Sequence, residues 1–336
     1  MYKNQTLVIA EAGVNHNGKL NLALKLVDIA AKAKADYIKF QTYHTDKLVQ
    51  KKLGLANYQK KKSKKPSTQY NLLKKLELSQ SDHIKIIKKC KRKKIKFLSS
   101  PFDLKSIDFL NKLKLNIFKI PSGEITNIPY LRKIGSLKKK IILSTGMSDI
   151  DEIDKAIKIL ISAGTKKKNI SILHCSSEYP ASIKNLNLLS IRYLKKKFNM
   201  KVGYSDHSLG LHASFTAVAL GAKIIEKHFT INKRLNGPDH KASLSPSELE
   251  NLVTGIRTIE LSLGKHKKKA NSEELKNVKF IRKFIVAKKK IKKGEIFSEN
   301  NLTTKRAAVG VAASEWDKII GKRAKKNFLY DENIKI

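Results

Sequence analysis

Lys39 and Gln41 lie two positions apart in an otherwise apolar run, which puts both side chains on one face of an extended strand. A second lysine, Lys119, lies near the end of another apolar run, with Ser122 and Glu124 three and five residues further on. Further hydroxyls, among them Ser100, Ser144 and Ser205, end other short apolar runs in the same way. Two ammonium groups among several hydroxyls suit an anion that carries phosphate and carboxylate. His207 and His228 also end successive runs; on neighbouring strands about 4.8 Å apart, two imidazoles can share one divalent ion and leave positions for water or substrate. Glu11 and Glu124 suit general acid or base work if burial tunes their carboxyls upward, or else they hold Lys39 or Lys119 in place. His16, His44, His83, His212, His240 and His266 show no such pairing, and no Ser-His-Asp order or nucleophile elbow stands out.

The elements that must position these groups are short β-branched strands alternating with amphipathic helices. Strands are expected at 6–11, 36–41, 94–100, 116–120, 140–145, 169–175, 201–205 and 223–228. Helical apolar spacing occupies 20–34, 81–93, 104–113, 149–162, 186–197, 210–221 and 246–262, with Asp149 and Ser245 as caps. Near-continuous apolar strands of this kind are buried on both faces, and eight of them predict an α/β fold, a closed (β/α)8 TIM barrel. No GxGxxG follows the first strand, which argues against a dinucleotide fold. In a barrel the polar groups above all fall at the carboxyl ends of the strands, where active sites form. The domain reading is a barrel over 1–263, a polar linker over 264–279 and a small domain over 280–336 containing the single Trp316. A Lys-rich insertion at 46–70 is long enough to be a lid or a disordered loop.

The 336 residues carry a formal charge of +43, which invites a nucleic-acid reading. The composition argues otherwise: 63 of the 71 basic residues are Lys and 8 are Arg, whereas base and phosphate recognition favours the bidentate guanidinium. The lysines are spread along the chain together with abundant Asn and Ile, the pattern of AT-rich coding acting on solvated faces. No specific nucleic-acid partner and no membrane span is expected. Two distant cysteines without CxxC spacing suit a reduced, cytoplasmic protein with no structural zinc.

Taken in order, the strand ends resemble a known family. Glu11-Ala12-Gly13-Val14-Asn15-His16-Asn17-Gly18, Lys39-Phe40-Gln41-Thr42, Ser99-Ser100-Pro101-Phe102-Asp103, Lys119-Ile120-Pro121-Ser122-Gly123-Glu124 and Leu143-Ser144-Thr145-Gly146-Met147 carry the first half of the likeness. The stretches 174–180, 203–207, Glu226-Lys227-His228-Phe229-Thr230 and Gly237-Pro238-Asp239-His240 carry the rest. Together they resemble the sialic acid synthases: the bacterial N-acetylneuraminate synthases and their legionaminate and pseudaminate relatives. Residues from about 280 resemble the type III antifreeze-like (SAF) domain that closes these enzymes.

The resemblance implies condensation of phosphoenolpyruvate with an open-chain N-acetylated hexosamine and water, giving a nonulosonic acid and phosphate by C–O cleavage. By motif position Lys39, Ser100, Lys119, Ser122, Ser144, Ser177 and Ser205 would hold phosphoenolpyruvate, and Gln41, Tyr179 and Asp239 the sugar. His207 and His228 would bind a divalent metal, manganese or magnesium. Glu11 would position or deprotonate water, and Glu124 would manage a proton at the sugar end. The resemblance also implies a domain-swapped homodimer in which Arg306 reaches the other chain's site. Ala307-Ala308-Val309-Gly310 follows that arginine where relatives carry Pro-Gly-x-Gly. N-acetylmannosamine is the expected sugar and N-acetylneuraminate the product. A legionaminate or other nonulosonate synthase is the alternative, and a non-catalytic polyanion or sugar-acid binding barrel the remote one.

Overall fold

The computed structural model describes residues 5–55, 68–264 and 267–335. Eight parallel strands form one sheet: β1 (Leu7–Gly13), β2 (Tyr37–Thr42), β3 (Lys96–Pro101), β4 (Ile117–Ile120), β5 (Lys140–Ser144), β6 (Ile170–Cys175), β7 (Lys201–Asp206) and β8 (Ile224–His228). Their ladder order is β3-β2-β1-β8-β7-β6-β5-β4, and β3 lies against β4 to bring the sheet round on itself. This is the expected (β/α)8 barrel, and the eight strands end within two residues of the expected limits.

Strand parity builds the interior. Ile9, Leu98, Ile142, Leu173 and Ile224 fill the middle of the barrel, with Leu7, Tyr37 and Ile117 packed against them. Their neighbours in sequence face outward and pack on the helices: Val8, Ile38, Phe118, Leu143, Ile172 and Ile225 all belong to that outer core. Because side chains alternate with period two, the next inward position on each strand is the second residue after the apolar floor. Those positions are Glu11, Lys39, Ser100, Lys119, Ser144, Cys175, Ser205 and Glu226. Gly203 lets β7 approach β8 closely, since a Cβ there would collide with the Ile224 backbone and with Leu173.

Helix Ile150–Ser162 begins in a capping box between Asp149 and Glu152, and helix Pro246–Ser262 in one between Ser245 and Glu248. Two expectations about helices need correction. The helix expected at 186–197 starts later, at Ser190, because Ile183–Asn185 forms a 3-10 turn and Asn187 takes a left-handed φ of 44°. A helix at Ile128–Ser136 was not expected: Pro129 at its start and Gly135 near its end dilute the periodic signal, yet Asn127 caps it and Leu131 and Ile134 are fully buried. Of the 46–70 insertion, 56–67 lie outside the described residues; a turn at Thr45–Leu48 and helix Gln69–Leu76 flank them.

The chain divides into two compact units, Met1–Gly264 and Lys265–Ile336. Within the polar stretch expected as a linker, Asn271 and Glu274 form a capping box that starts helix Ser272–Ile281, which buries no residue. The second unit pairs β9 (Lys283–Ala287) antiparallel with β10 (Leu302–Arg306). Ile285, Ile291, Phe297, Leu302, Phe328 and Ile334 are among its core residues. Cys90 and Cys175 are both free and buried. Among the described residues no helix is long and apolar enough to cross a membrane.

Candidate active site

The inward polar layer opens into a cavity of about 360 Å³ at the carboxyl ends of the strands. Thirteen residues expected from the sequence line it: Glu11, Lys39, Gln41, Ser100, Lys119, Ser122, Ser144, Ser177, Tyr179, Ser205, His207, His228 and Asp239. Glu124 and Arg306 are not among the lining residues. Glu124 is half-buried in the 3-10 turn Ser122–Glu124, and its Oε2 accepts a hydrogen bond from Asn127 Nδ2 at 2.7 Å. Arg306 is exposed at the end of β10 in the second unit.

Four buried charges sit on the cavity floor. Lys39 Nζ lies 2.9 Å from Glu11 Oε1 and 3.6 Å from Glu226 Oε1. Lys119 Nζ lies 3.4 Å from the same Glu226 oxygen. Each ammonium also donates to a hydroxyl, Lys39 to Ser100 Oγ at 3.1 Å and Lys119 to Ser144 Oγ at 2.7 Å. Burial pushes the Glu11 carboxyl up to about 7, against the pull of Lys39. Burial also raises Glu226, but Lys119 and Lys39 more than offset it and hold that carboxyl below its ordinary value. Lys119 is pushed below its ordinary range by burial, only partly offset by Glu226. One carboxylate is thus firmly charged and the other can be neutral near pH 7, so two ammonium groups face the cavity with less than two negative charges. Such a floor favours an incoming anion.

Glu226 also lines the cavity and is a further functional candidate, carried in the sequence within the stretch Glu226-Lys227-His228. The signal was available: it lies two residues before His228, on the same strand face, beside Ser205 in the ladder. Cys175, the last residue of β6, also lines the cavity, with Sγ 3.4 Å from Ser122 Oγ. Its neighbour His174 packs away from the cavity, stacking on Tyr204 and bonding the Leu186 carbonyl at 2.7 Å. Glu178 holds its own loop through Ser182 N and Asn185 Nδ2.

Above the floor stand the two histidines, their ring centroids 5.7 Å apart. His207 Nδ1 donates to the Ser176 carbonyl at 2.6 Å, which fixes the tautomer and leaves Nε2 as an acceptor lone pair toward the Tyr179 hydroxyl at 3.1 Å. His228 Nδ1 is buried with no hydrogen-bond partner, 4.0 Å from Asp239 Oδ2. Burial lowers His207 to about 4, with the Ser176 carbonyl opposing, and pushes His228 well below the ordinary value. Neutral imidazoles that line a polar cavity are a donor set a divalent ion can take. Among the described residues no group of three or more His, Cys, Asp or Glu side chains is arranged around one point, so such an ion would complete its shell with substrate or water.

A NeuB family model matches residues 26–268, and a SAF domain model matches residues 282–335. Over 331 residues the chain is 53% identical to an N,N'-diacetyllegionaminic acid synthase of Campylobacter jejuni, covering 98% of this chain and 99% of that one. A Legionella pneumophila protein of the same description is 44% identical over 322 residues, 95% of this chain and 90% of that one. Among solved structures, the crystal structure of an N-acetylneuraminic acid (sialic acid) synthetase from Leptospira borgpetersenii in complex with citrate superposes with a TM-score of 0.72. It is 36% identical and covers 82% of this chain and 90% of that one.

Proposed function

The chain belongs to the NeuB family, the sialic acid synthases, and ends in a SAF domain; from that premise we propose that it joins phosphoenolpyruvate to 2,4-diacetamido-2,4,6-trideoxymannose and water, giving N,N'-diacetyllegionaminate and phosphate. The observation that carries the choice of sugar is the 53% identity, over nearly the full length of both chains, to an N,N'-diacetyllegionaminic acid synthase. N-acetylneuraminate, the product favoured on sequence alone, gives way to it: the synthetase described for that acid is 36% identical.

In this reading Lys39 and Lys119, with Ser100, Ser122, Ser144, Ser177 and Ser205, hold the phosphate and carboxylate of phosphoenolpyruvate. Gln41, Tyr179 and Asp239 contact the open-chain sugar. The C3–C1 bond forms as carbon 3 of phosphoenolpyruvate attacks the aldehyde, whose oxygen takes a proton. Water adds to the cation left at carbon 2, and the tetrahedral adduct loses phosphate by C–O cleavage. Glu11, whose carboxyl is poised at about 7, takes the proton from that water. Glu124 is assigned the proton at the sugar end, which requires its side chain to leave Asn127 and turn into the cavity mouth. His207 and His228 hold a divalent ion, manganese or magnesium, which when bound supplies Lewis-acid polarisation of the aldehyde oxygen. Arg306 serves the other chain's cavity in a domain-swapped homodimer.

The test is phosphate release from phosphoenolpyruvate with manganese, comparing the trideoxy sugar with N-acetylmannosamine. Faster turnover of the trideoxy sugar, by about 10-fold or more, is expected from a pocket shaped to its substituents. Preference for N-acetylmannosamine returns the assignment to N-acetylneuraminate. Release with neither sugar leaves a binding barrel without turnover and sinks the proposal.

A further inference from the structure

Behind the two histidines, on the side of β7 and β8 facing away from the cavity, lies a buried ion pair that the proposed chemistry does not use. Asp206 and Lys227 are direct partners in the β7–β8 ladder. Lys227 Nζ lies 2.7 Å from Asp206 Oδ2, and the two side chains are 1% and 0% exposed. We infer that the Asp206–Lys227 pair is a positioning device for the metal centre: it locks β7 against β8 and so sets the separation of the His207 and His228 imidazoles. The inference rests on reading those two histidines as the ligands of a divalent ion.

The bonding around the pair converges on the segment that carries His207. Asp206 Oδ1 accepts from Ser208 N at 2.9 Å and from Ser208 Oγ at 2.6 Å. Asp206 Oδ2 accepts from Ser214 Oγ at 2.6 Å, on helix His212–Ala219, as well as from Lys227. Lys227 Nζ donates in turn to the Ser208 carbonyl at 2.7 Å. The residues on either side of His207 are therefore both tied, one of them through N–H and C=O alike. The His207 ring itself is bonded to Ser176 and Tyr179, which belong to the loop after β6. Those contacts orient the ring toward the loop after β6. Toward β8 the ring is linked through Ser205 Oγ, 3.4 Å from His207 Nε2 and 3.3 Å from Glu226 Oε1, while the backbone that carries it is tied to β8 through Lys227.

A fold that needed only adhesion here would do as well with two apolar residues, because desolvating a charged pair commonly cancels its Coulombic gain. What an ion pair with saturated hydrogen bonds adds is direction: one register and one spacing. On β8 the inward residues flanking Lys227 are Glu226 and His228, and on the β7 side Ser205 and His207 flank Asp206, so the lock sits directly behind the groups whose spacing matters. Groups that orient metal ligands from behind typically change metal affinity by about 10–100-fold when removed.

The test is manganese binding by the full chain without substrates, read from the free-ion electron paramagnetic resonance signal, in wild type, Ser214→Ala, and the double variant Asp206→Leu/Lys227→Met. The double variant leaves an apolar pair in place of the charges. Its manganese Kd is expected to rise about 10–100-fold, and the thermal midpoint of the metal-free protein to fall as well, because Ser208 N–H, Ser208 Oγ and Ser214 Oγ lose their acceptor. Ser214→Ala, which removes one bond and is the milder change, is expected to raise Kd about 3–10-fold, a share of the same effect. A folded double variant that binds manganese as wild type does overturns the inference; if that variant does not fold, an unchanged Kd in Ser214→Ala overturns it. Wild-type protein that binds no manganese removes the metal centre itself, and the inference with it.

Discussion

Glu226 on β8 and Lys119 on β4 meet across the barrel interior, Oε1 to Nζ 3.4 Å, although their strands stand on opposite sides of the ladder. The same carboxylate oxygen lies 3.6 Å from Lys39 on β2. One side chain therefore ties three strands together beneath the site, and it is the natural first target.

Glu226→Gln keeps the shape and removes the charge. Lys39 retains Glu11, but Lys119 has no other carboxylate within 4.0 Å among the described residues. Removing one partner of a buried pair costs about 3–5 kcal/mol, so the unfolding free energy should fall by that order. Phosphate can replace the lost charge, so thermal unfolding with and without it should show a larger upward shift in the variant than in wild type. Equal shifts would mean that Lys119 does not face the anion subsite.

Lys119→Met removes an ammonium that also holds Ser144. The expected result is a KM for phosphoenolpyruvate raised about 100-fold or more, the kinetic equivalent of losing a buried charged contact. The KM for the sugar should move about 3-fold or less. Steady-state kinetics with each substrate varied in turn reads both, and equal rises in the two constants would contradict the assignment of Lys119.

Gly146 leaves room where three side chains converge: a Cβ there would collide with Ser177 Oγ and press on Cys175 Sγ and Ser122 Oγ. Its N–H also donates to Ser122 Oγ at 3.0 Å. Gly146→Ala should displace the hydroxyls and weaken phosphoenolpyruvate about 10-fold or more, on the scale of overpacking at about 1–3 kcal/mol. The thermal midpoint should fall modestly. Unchanged affinity for phosphoenolpyruvate would place the anion elsewhere in the cavity.

Arg306→Ala and Glu11→Gln should each abolish turnover alone. If Arg306 serves the other chain's site, unfolding and refolding an equal mixture should regain about a quarter of wild-type activity, because half of the dimers are mixed and each mixed dimer has one intact site. No regain, with mixed dimers demonstrated by tag capture, would mean that each chain completes its own site.

Asp103 caps helix Leu104–Lys112 through Ser106 N at 2.9 Å and also accepts from His44 N at 2.9 Å. Burial pushes its carboxyl up, but the Ser106 and His44 bonds outweigh that and hold it below the ordinary range. A depressed acid stabilises the fold fully above its unfolded pKa of about 4 and loses that contribution as pH falls through the folded value. Asp103→Ala should cost about 1–2 kcal/mol near pH 7, and the gap to wild type should close as pH falls below about 4. Denaturant unfolding at several pH values checks this; a gap that persisted in acid would assign the loss to packing.

Much of the site was legible because strand alternation is a strict geometric rule. Once β2 was recognised, Lys39 and Gln41 had to share a face, and the same holds for Lys119, Ser144 and the two histidines. Glu226 went unassigned because its charge falls in the run Glu226-Lys227-His228, where inward and outward polar residues alternate without an apolar residue to mark the inside. Helix Ile128–Ser136 escaped because its stability comes from burial against neighbours and a cap at Asn127, not from a long periodic pattern. Glu124 looked like a cavity residue from its motif, whereas its side chain direction depends on a 3-10 turn and on Asn127, neither of which spacing encodes.

The separation of inward and outward strand positions also governs how such a chain can change over generations. Lysines have accumulated over the exterior to a net charge of +43, while the inward layer holds two lysines, each with a carboxylate within 4.0 Å. Substitutions on the outside can therefore drift with codon usage and leave the chemistry alone. A single-residue deletion inside β2 or β8 is a different event. It would turn Lys39 or His228 outward together with every residue beyond it, so length within these strands is constrained far more tightly than composition on the surface.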